Sequence, residues 1–138
     1  MEFIPYLYFN GQCQEALKFY EKVFNGKIAM MMTYGQSPAA QHVPAEMRDQ
    51  VIHARLDIGS YILLASDAPH DKFAAPQGFS ISISVKDVAE ADRVFNALVE
   101  KGSVQMPIGP TFWSVRFGML TDRFGVPWMV NCVQAPPA

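Results

Sequence analysis

Three ionisable side chains occupy alternate positions in the stretch VIHARLDI (51–58). Successive side chains of a β-strand point to opposite faces, so His53, Arg55 and Asp57 would share one face and the apolar residues the other. Imidazole changes its charge near neutral pH, and a guanidinium group binds carboxylate or phosphonate through two hydrogen bonds. This row of side chains is therefore the first candidate for a ligand-binding surface.

Each of these residues has a chemical and a structural interpretation. His53 beside Arg55 is a candidate general base whose pKa a nearby cation would lower, or else a histidine that is hydrogen-bonded in a wet cavity. Arg55 and Arg116 are candidates for clamping an anionic ligand. The alternative is that each arginine forms a salt bridge, for instance with Asp57 or Asp122. The sequence leaves both alternatives open, because geometry decides such roles.

The second half of the chain supplies further candidate ligand-binding residues. In FSISISV (79–85) the apolar residues take one face of a strand, and the other face carries Ser80, Ser82 and Ser84. Trp113 and Trp128 could form an apolar pocket wall, although aromatic residues on strands more often belong to the core. In WSVRFGML (113–120), Trp113 and Arg116 fall on opposite faces, and the sequence leaves open which face meets a ligand.

Two amphipathic helices are predicted to support these strands. Apolar residues recur with a period of 3.6 over 12–24, and Gly26 would end that helix in the left-handed conformation. Asp87, followed three residues later by Glu90, predicts an N-cap and a capping box for the second helix. Gly102 would end it.

The strand and helix patterns repeat along the chain. Each half reads strand, helix, strand, strand, strand, with strands predicted at 3–9, 27–34, 51–58, 61–66, 79–85, 104–108, 113–121 and 127–133. We therefore predict one α+β domain over 1–138, built from two βαβββ modules at about 1–68 and 78–134. A helix would cover one face of each sheet, and the opposite faces would line a cup.

The composition of the chain argues against some classes of binding partner. The chain has 138 residues, half of them hydrophobic and 17% charged, with a formal net charge of −2. No basic run favours nucleic acid, and no apolar stretch approaches the roughly 18 residues of a membrane span. We predict a cytoplasmic protein without nucleic-acid or membrane partners. Cys13 and Cys132 lack metal spacing and are expected to be free, buried thiols.

Three stretches together resemble a known family. They are PYLYFNGQCQEALKFYEKVF (5–24), HARLDIGSYILLASD (53–67) and FWSVRFGMLTDRFGVPWMV (112–130). They are similar to the PhnB-like branch of the glyoxalase/bleomycin-resistance/dioxygenase (vicinal oxygen chelate) superfamily, and the resemblance spans nearly the whole chain. It implies paired βαβββ modules, a cup-shaped site and a homodimer.

The resemblance also implies a place for a divalent metal, held by His, Glu, His and Glu in the superfamily's enzymes. Carried over residue by residue, those positions hold Pro5, His53, Ser80 and Met129. Only His53 binds a metal well, whereas a catalytic metal needs about three protein ligands. We therefore expect no metal and no other cofactor. An unorthodox metal site that uses His42 or His70, on loops that could fold over the cup, stays open.

The sequence is compatible with three kinds of function. Some family members carry a name resembling 3-demethylubiquinone 3-methyltransferase, but no G-x-G-x-x-G motif for a nucleotide-like cofactor occurs. The sequence favours a metal-independent small-molecule-binding protein with its ligand in the cup. The alternatives are a metal-dependent or His-based lyase, isomerase or dioxygenase, with His53 as the best catalytic candidate, and a structural partner in a larger assembly. The long loops 35–50 and 67–78 are predicted to be lids or subunit contacts.

Overall fold

The structure is a computed structural model that describes residues 1–133, and the chain divides into two compact units, Met1–Ala74 and Ala75–Ala138. The first unit contains β1 (Tyr6–Phe9), α1 (Cys13–Phe24), β2 (Lys27–Thr33), β3 (Val51–Ile58) and β4 (Tyr61–Asp67). The described part of the second unit contains β5 (Ile81–Val85), α2 (Val88–Val99), β6 (Ser103–Gly109), β7 (Arg116–Thr121) and β8 (Pro127–Cys132). No helix among these residues is long and apolar enough to cross a membrane.

Each unit forms one four-stranded mixed sheet. The strand order is β1-β4-β3-β2 in the first sheet and β5-β8-β7-β6 in the second. The first strand of each unit pairs in parallel with the last, and the remaining pairs are antiparallel. This topology confirms the predicted α+β class and the two βαβββ modules. The single-domain assignment and the cup stay predictions.

Each helix packs its apolar stripe on one face of its own sheet. The stripe of α1 consists of Cys13, Ala16, Leu17, Tyr20 and Val23, and that of α2 consists of Ala91, Val94, Phe95 and Leu98. The structure therefore confirms two amphipathic helices, each with a buried stripe that repeats about every 3.6 residues. The prediction of free, buried thiols is also confirmed for both cysteines.

The end of α1 differs from the prediction. Asn25, not Gly26, takes the left-handed conformation, with φ of 52°. Asparagine tolerates that conformation better than most residues with a side chain. Gly26 is required for another reason, because a Cβ there would lie 2.7 Å from the backbone oxygen of Asp57 in β3. The close approach of the chain to β3, not the helix end, explains this glycine.

The start of α2 agrees with the prediction in part. Asp87 is the N-cap, and its Oδ1 accepts a hydrogen bond from the backbone N–H of Glu90 at 2.7 Å. The Glu90 carboxylate binds the Arg93 guanidinium at 2.7 and 3.1 Å instead of returning to the N-cap. Only one half of the predicted capping box therefore forms.

Strand β7 begins at Arg116, three residues later than predicted. A turn precedes it, closed by a hydrogen bond from the backbone N–H of Thr111 to the backbone oxygen of Ser114 at 2.9 Å. Ser114 is buried, and its Oγ lies 2.6 Å from Asn131 Oδ1. These contacts hold the chain at Trp113 and Ser114 in a turn, which strand periodicity cannot reveal.

The long loop after β2 is built from short 3-10 helices, at Tyr34–Gln36, Pro38–His42 and Ala45–Met47. Its two ends are joined by hydrogen bonds from the backbone N–H of Tyr34 to the Gln50 oxygen and from that of Gly35 to the Arg48 oxygen, each at 2.9 Å. A role as a lid or subunit contact stays a prediction for this loop and for 67–78.

Candidate functional site

One face of the first sheet is not covered by α1, and we call it the helix-free face. The strand register places ten side chains on it: Tyr6, Tyr8, Met30, Met32, His53, Arg55, Asp57, Ile62, Leu64 and Ser66. Met32 lies opposite His53, and Met30 lies opposite Arg55. The three polar residues of VIHARLDI therefore share one face, as their alternation predicted.

The imidazole of His53 is held by a tyrosine. The Tyr6 hydroxyl lies 3.3 Å from His53 Nδ1, and the two ring centroids are 5.9 Å apart. Tyr6 also packs against Tyr8, with ring centroids 5.0 Å apart. This geometry agrees with the interpretation of His53 as a hydrogen-bonded histidine. Because Nδ1 is engaged, Nε2 is the nitrogen that a ligand would meet.

Arg55 forms a salt bridge along its own strand. Its Nε lies 2.6 Å from Asp57 Oδ1, and the two side chains are 46% and 37% exposed. Exposed ion pairs contribute little to stability, typically about 0–1 kcal/mol. The salt-bridge interpretation therefore applies to Arg55. Its terminal nitrogens remain for a ligand, although Asp57 offsets the positive charge.

Arg116 and Trp128 lie on the other side of their sheet, towards α2. Arg116 Nε binds Asp92 Oδ1 of α2 at 3.2 Å. Trp128 is only 2% exposed, and its indole N–H donates to Asp122 Oδ2 at 2.8 Å. Arg116 therefore lies on the face of β7 that meets α2, and which face meets a ligand stays untested. The structure gives Arg116 and Trp128 contacts within the second unit, and their predicted ligand-binding role is untested.

Ser82 and Ser84 lie on the opposite, helix-free face of the second sheet. Ser82 lies opposite Met129, which in turn lies opposite Met119. Ser80 precedes β5 and is half-buried. Trp113 is exposed and packs edge-on against Phe117, with ring centroids 5.4 Å apart. On this surface the side chains are small and polar along β5 and apolar along β7. Its ligand-binding role stays a prediction.

A cavity of about 350 Å³ lies beside the helix-free face of the first unit. It is lined by Tyr8, Tyr34, Ser66, Asp67, Ala68, Pro69, Lys72, Phe73 and Ala74. Sequence reasoning did not identify Tyr34 or Lys72 as site residues. The sequence feature that could have indicated this cavity is that β2 and β4 both end in polar residues, at the same end of the sheet.

Asp67 fixes the backbone around this cavity. Its carboxylate accepts hydrogen bonds from the backbone N–H groups of Cys13 and Val51, both at 2.9 Å. Its backbone oxygen accepts a hydrogen bond from the Tyr34 hydroxyl at 2.8 Å. Burial, followed by the charge of Asp67, raises the pKa of Tyr34, so this phenol stays protonated at neutral pH. Asp67 thereby connects the ends of β2 and β4 with the starts of α1 and β3.

The residues at the superfamily's metal positions do not fit a metal. Of Pro5, His53, Ser80 and Met129, only His53 is a strong ligand, and the Pro5 backbone oxygen already accepts a hydrogen bond from Leu64 at 3.0 Å. Among residues 1–133 no group of three or more His, Cys, Asp or Glu side chains could hold a metal ion. His42 is exposed, and His70 Nδ1 lies 3.1 Å from Asn10 Oδ1.

Burial also acts on a group outside the site. It raises the pKa of the Cys13 thiol strongly, and the negative charge of Asp67 adds to the effect. Because the thiolate is the nucleophile and metal ligand, and Cys13 is fully buried, we expect this thiol to be unreactive.

The chain is similar to known proteins over its whole length. A model of the family described as 3-demethylubiquinone-9 3-methyltransferase matches residues 1–131. Protein YjdN of Escherichia coli (strain K12) is 32% identical over 145 residues, which covers 99% of each chain. Protein PA1353 from Pseudomonas aeruginosa has a crystal structure with a TM-score of 0.87 and 50% identity, covering 98% of this chain and 99% of that one.

Two more distant structures extend the comparison. A PhnB protein from Bacillus cereus has a TM-score of 0.81 and 26% identity over 98% of this chain and 100% of its own. A glyoxalase/bleomycin resistance protein/dioxygenase family enzyme from Burkholderia phytofirmans PsJN shares the fold at a TM-score of 0.64 and 13% identity, over 94% and 96% of the two chains. The chain therefore belongs to the PhnB-like 3-demethylubiquinone-9 3-methyltransferase family, and its fold is that of glyoxalase/bleomycin resistance proteins.

Proposed function

We propose that this chain is a small-molecule-binding protein of the glyoxalase/bleomycin-resistance type, and that binding needs no metal. The ligand would lie on the helix-free face of the first unit. One observation carries the proposal: exposed tyrosines and methionines surround His53 and Arg55 on that face. The ligand would pack its apolar part on these side chains and place a polar group at His53 Nε2.

Several apolar side chains on the helix-free face are exposed, and a purely structural role of this face does not explain their exposure. Tyr8 is 57% exposed, and Met30 and Met32 are 40% and 37% exposed. The solvated face of a mixed or antiparallel sheet normally carries polar residues. Contiguous apolar side chains with a few polar groups among them are typical of ligand sites, and methionine adapts its shape to a ligand.

The donor chemistry supports a binding role without a metal. Proline and methionine, at two of the four family positions, do not serve a hard or borderline divalent ion. The family's description names a methyltransferase, but the chain lacks the glycine-rich turn that typically binds a nucleotide-like cofactor. A binding protein requires neither of these features.

An enzyme is the second candidate, and the contact between Tyr6 and His53 favours it. A hydrogen bond at Nδ1 fixes the orientation of an imidazole and leaves Nε2 to accept or donate a proton. The corresponding chemistry would be a His-based isomerase or lyase reaction. Loss of turnover in His53→Ala without loss of binding would favour this candidate over simple binding.

Two further parts of the proposal concern the cellular context. A homodimer is proposed from the family resemblance. Cytoplasmic location is supported by the free thiols of Cys13 and Cys132, because reducing compartments keep thiols unpaired. The ligand, not a nucleic acid or a membrane, is the proposed partner.

Phenol is a suitable probe for the face, because its ring can pack on Met32 and Tyr6 while its hydroxyl, which can donate or accept, forms a hydrogen bond with His53 Nε2. In an NMR titration of the ¹⁵N-labelled protein, we expect the backbone amides of β1, β3 and β4 to shift. His53→Ala should weaken phenol binding about fivefold, since it removes one hydrogen bond worth about 1 kcal/mol. His42→Ala, in an exposed loop, is the matched control. Shifts that avoid these strands, or equal effects of both variants, would refute the proposed face.

A further inference from the structure

The cavity beside the helix-free face has an interior and a mouth of different character. Ser66 and Asp67 are 5% and 1% exposed, whereas Lys72 is exposed on the short 3-10 helix His70–Lys72. The rings of Tyr8, Tyr34 and Phe73 also line the cavity. The cavity volume, about 350 Å³, lies at the lower end of the range for small-molecule sites.

The interior suits a planar ring better than a charged group. Aromatic rings are stabilised by offset or edge-on contacts with other aromatic rings. The Tyr34 hydroxyl cannot donate to a ligand, because it already donates to the backbone oxygen of Asp67 at 2.8 Å. Among the described residues no hydrogen-bond partner is found for the Ser66 hydroxyl, so one polar contact remains available inside.

Charge is distributed so that an anion would be favoured only at the mouth. Alternation along β4 points the Asp67 carboxylate away from Ser66, towards the N–H groups of Cys13 and Val51. Its negative charge nevertheless lies close enough to act on Tyr34, so it opposes a second anion deep in the cavity. Within residues 1–133, no carboxylate lies within ion-pair distance of Lys72. Lys72 can therefore receive an anionic group at the rim.

We propose that this cavity binds a planar aromatic acid, with its ring between Tyr8, Tyr34 and Phe73 and its anionic group at Lys72. The inference deepens the proposed function and rests on it, because Tyr8 and Ser66 belong to both the cavity and the helix-free face. It adds a ligand class and an orientation, with the ring inside and the anion outside. The aromatic acid would be distinguished from its uncharged amide by Lys72.

Benzoate and its uncharged analogue benzamide test the ligand class in an NMR titration of the full chain. We expect both compounds to shift the amides of Ser66, Ala68 and Phe73, and benzoate to bind more tightly. An exposed ion pair at the rim accounts for a preference of about two- to fivefold. The preference should shrink as salt is added, because salt screens exposed charges.

Two substitutions that each remove one positive charge distinguish an effect at the rim of the cavity from a general effect of surface charge. Lys72→Gln should remove the preference for benzoate and leave benzamide binding unchanged. Lys18→Gln, at an exposed position of α1, is the matched control and should leave both affinities unchanged. Phe73→Ala should weaken both compounds to a similar extent, because it removes a contact with the ring and not with the anion.

The outcomes separate this inference from the proposed function. Benzoate shifts confined to Met32, His53 and Arg55 would overturn the inference and support the face. Equal binding of benzoate and benzamide, an unchanged preference in Lys72→Gln, or no benzoate shifts at all would also overturn it. The face is tested independently by phenol and His53→Ala, so the failure of one proposal is distinguishable from the failure of the other.

Discussion

At the residue scale, Asp67 is a buried carboxylate that holds several segments of the first unit together. It is 1% exposed, and both carboxylate oxygens accept backbone hydrogen bonds. One of these donors is the first residue of α1, where the positive end of the helix dipole favours a negative charge. The carboxylate thereby fixes the wall of the cavity and the starts of α1 and β3.

Replacing this carboxylate should be costly. In Asp67→Asn one oxygen can still accept a hydrogen bond, but the amide nitrogen faces the second backbone donor. We expect the free energy of unfolding to fall by about 2–3 kcal/mol, measured by urea denaturation. Asp71→Asn, an exposed change in the neighbouring 3-10 helix, should cost less than about 0.5 kcal/mol. Similar losses in the two variants would contradict the role of Asp67.

Tyr34 gives a pH-dependent prediction. Its pKa is raised by burial first and by Asp67 and Tyr6 next, so the folded state favours the neutral phenol. Its contribution to stability is therefore complete below the ordinary tyrosine pKa of about 10 and is lost as pH rises through the higher folded value. The stability difference between the wild type and Tyr34→Phe should shrink between about pH 8 and about pH 11 in urea titrations. A difference that stays constant, or grows, over this range would contradict the assignment.

Sequence reasoning found His53, Arg55 and Asp57 but missed the cavity, for a physical reason. Alternation is a local property, and it correctly placed the three residues on one face of β3. Tyr34 and Asp67 meet only because β2 and β4 flank β3 in the sheet order β1-β4-β3-β2. Such convergence depends on pairing between distant segments, which spacing along the chain does not encode.

At the element scale, the packing of α2 on its sheet depends on a glycine. A Cβ at Gly118 in β7 would lie 2.7 Å from a ring carbon of Phe95 and 3.0 Å from the Ile108 Cα. The helix can therefore approach the strand only where no side chain intervenes. The same strand carries Arg116 towards Asp92 of α2, so its orientation fixes which residues face the helix.

Two glycines in neighbouring strands provide a matched test of this packing. Gly118→Ala should lower the free energy of unfolding by about 1–3 kcal/mol, because the added methyl group overpacks the helix–sheet contact. Gly109→Ala, where a Cβ would have nothing within 4 Å, should be neutral or slightly stabilising. Thermal or urea unfolding measures both. A Gly118→Ala variant as stable as the wild type would refute the proposed close approach.

The orientation of β7 could not be predicted from the alternation of apolar and polar residues. Both of its faces carry apolar residues, Phe117 and Met119 on one and Leu120 on the other, so alternation alone could not choose between them. In the structure the Leu120 face is the one that meets α2, with Gly118 against Phe95 and Arg116 bound to Asp92. In β3, by contrast, one face is apolar and the other polar, and its orientation was predicted correctly.

At the scale of the whole molecule, the two units share one topology but differ in surface chemistry. Their sheets have the corresponding orders β1-β4-β3-β2 and β5-β8-β7-β6. The first unit presents His53 and Arg55 on its helix-free face, whereas the second presents Ser82 and Met129. The repeat in the sequence predicted the shared scaffold, because it rests on hydrophobic patterning. The difference between the faces is the reason for proposing the ligand site in the first unit.

The proposed homodimer is tested by the mass of the intact protein in solution. Native mass spectrometry should give about twice the chain mass of 15.4 kDa. The dimer should persist on dilution into the low micromolar range if its interface is of standard size. A stable monomer under these conditions would contradict the homodimer but not the ligand site within the first unit.

The helix-free face is proposed to bind a small molecule without a metal. The most direct test of this proposal is an NMR titration with phenol on protein dialysed against EDTA, repeated after addition of equimolar Zn²⁺. We expect the same shifted amides around His53 in both titrations and dissociation constants that agree within about twofold. Phenol shifts that appear only after Zn²⁺ is added would contradict the proposal.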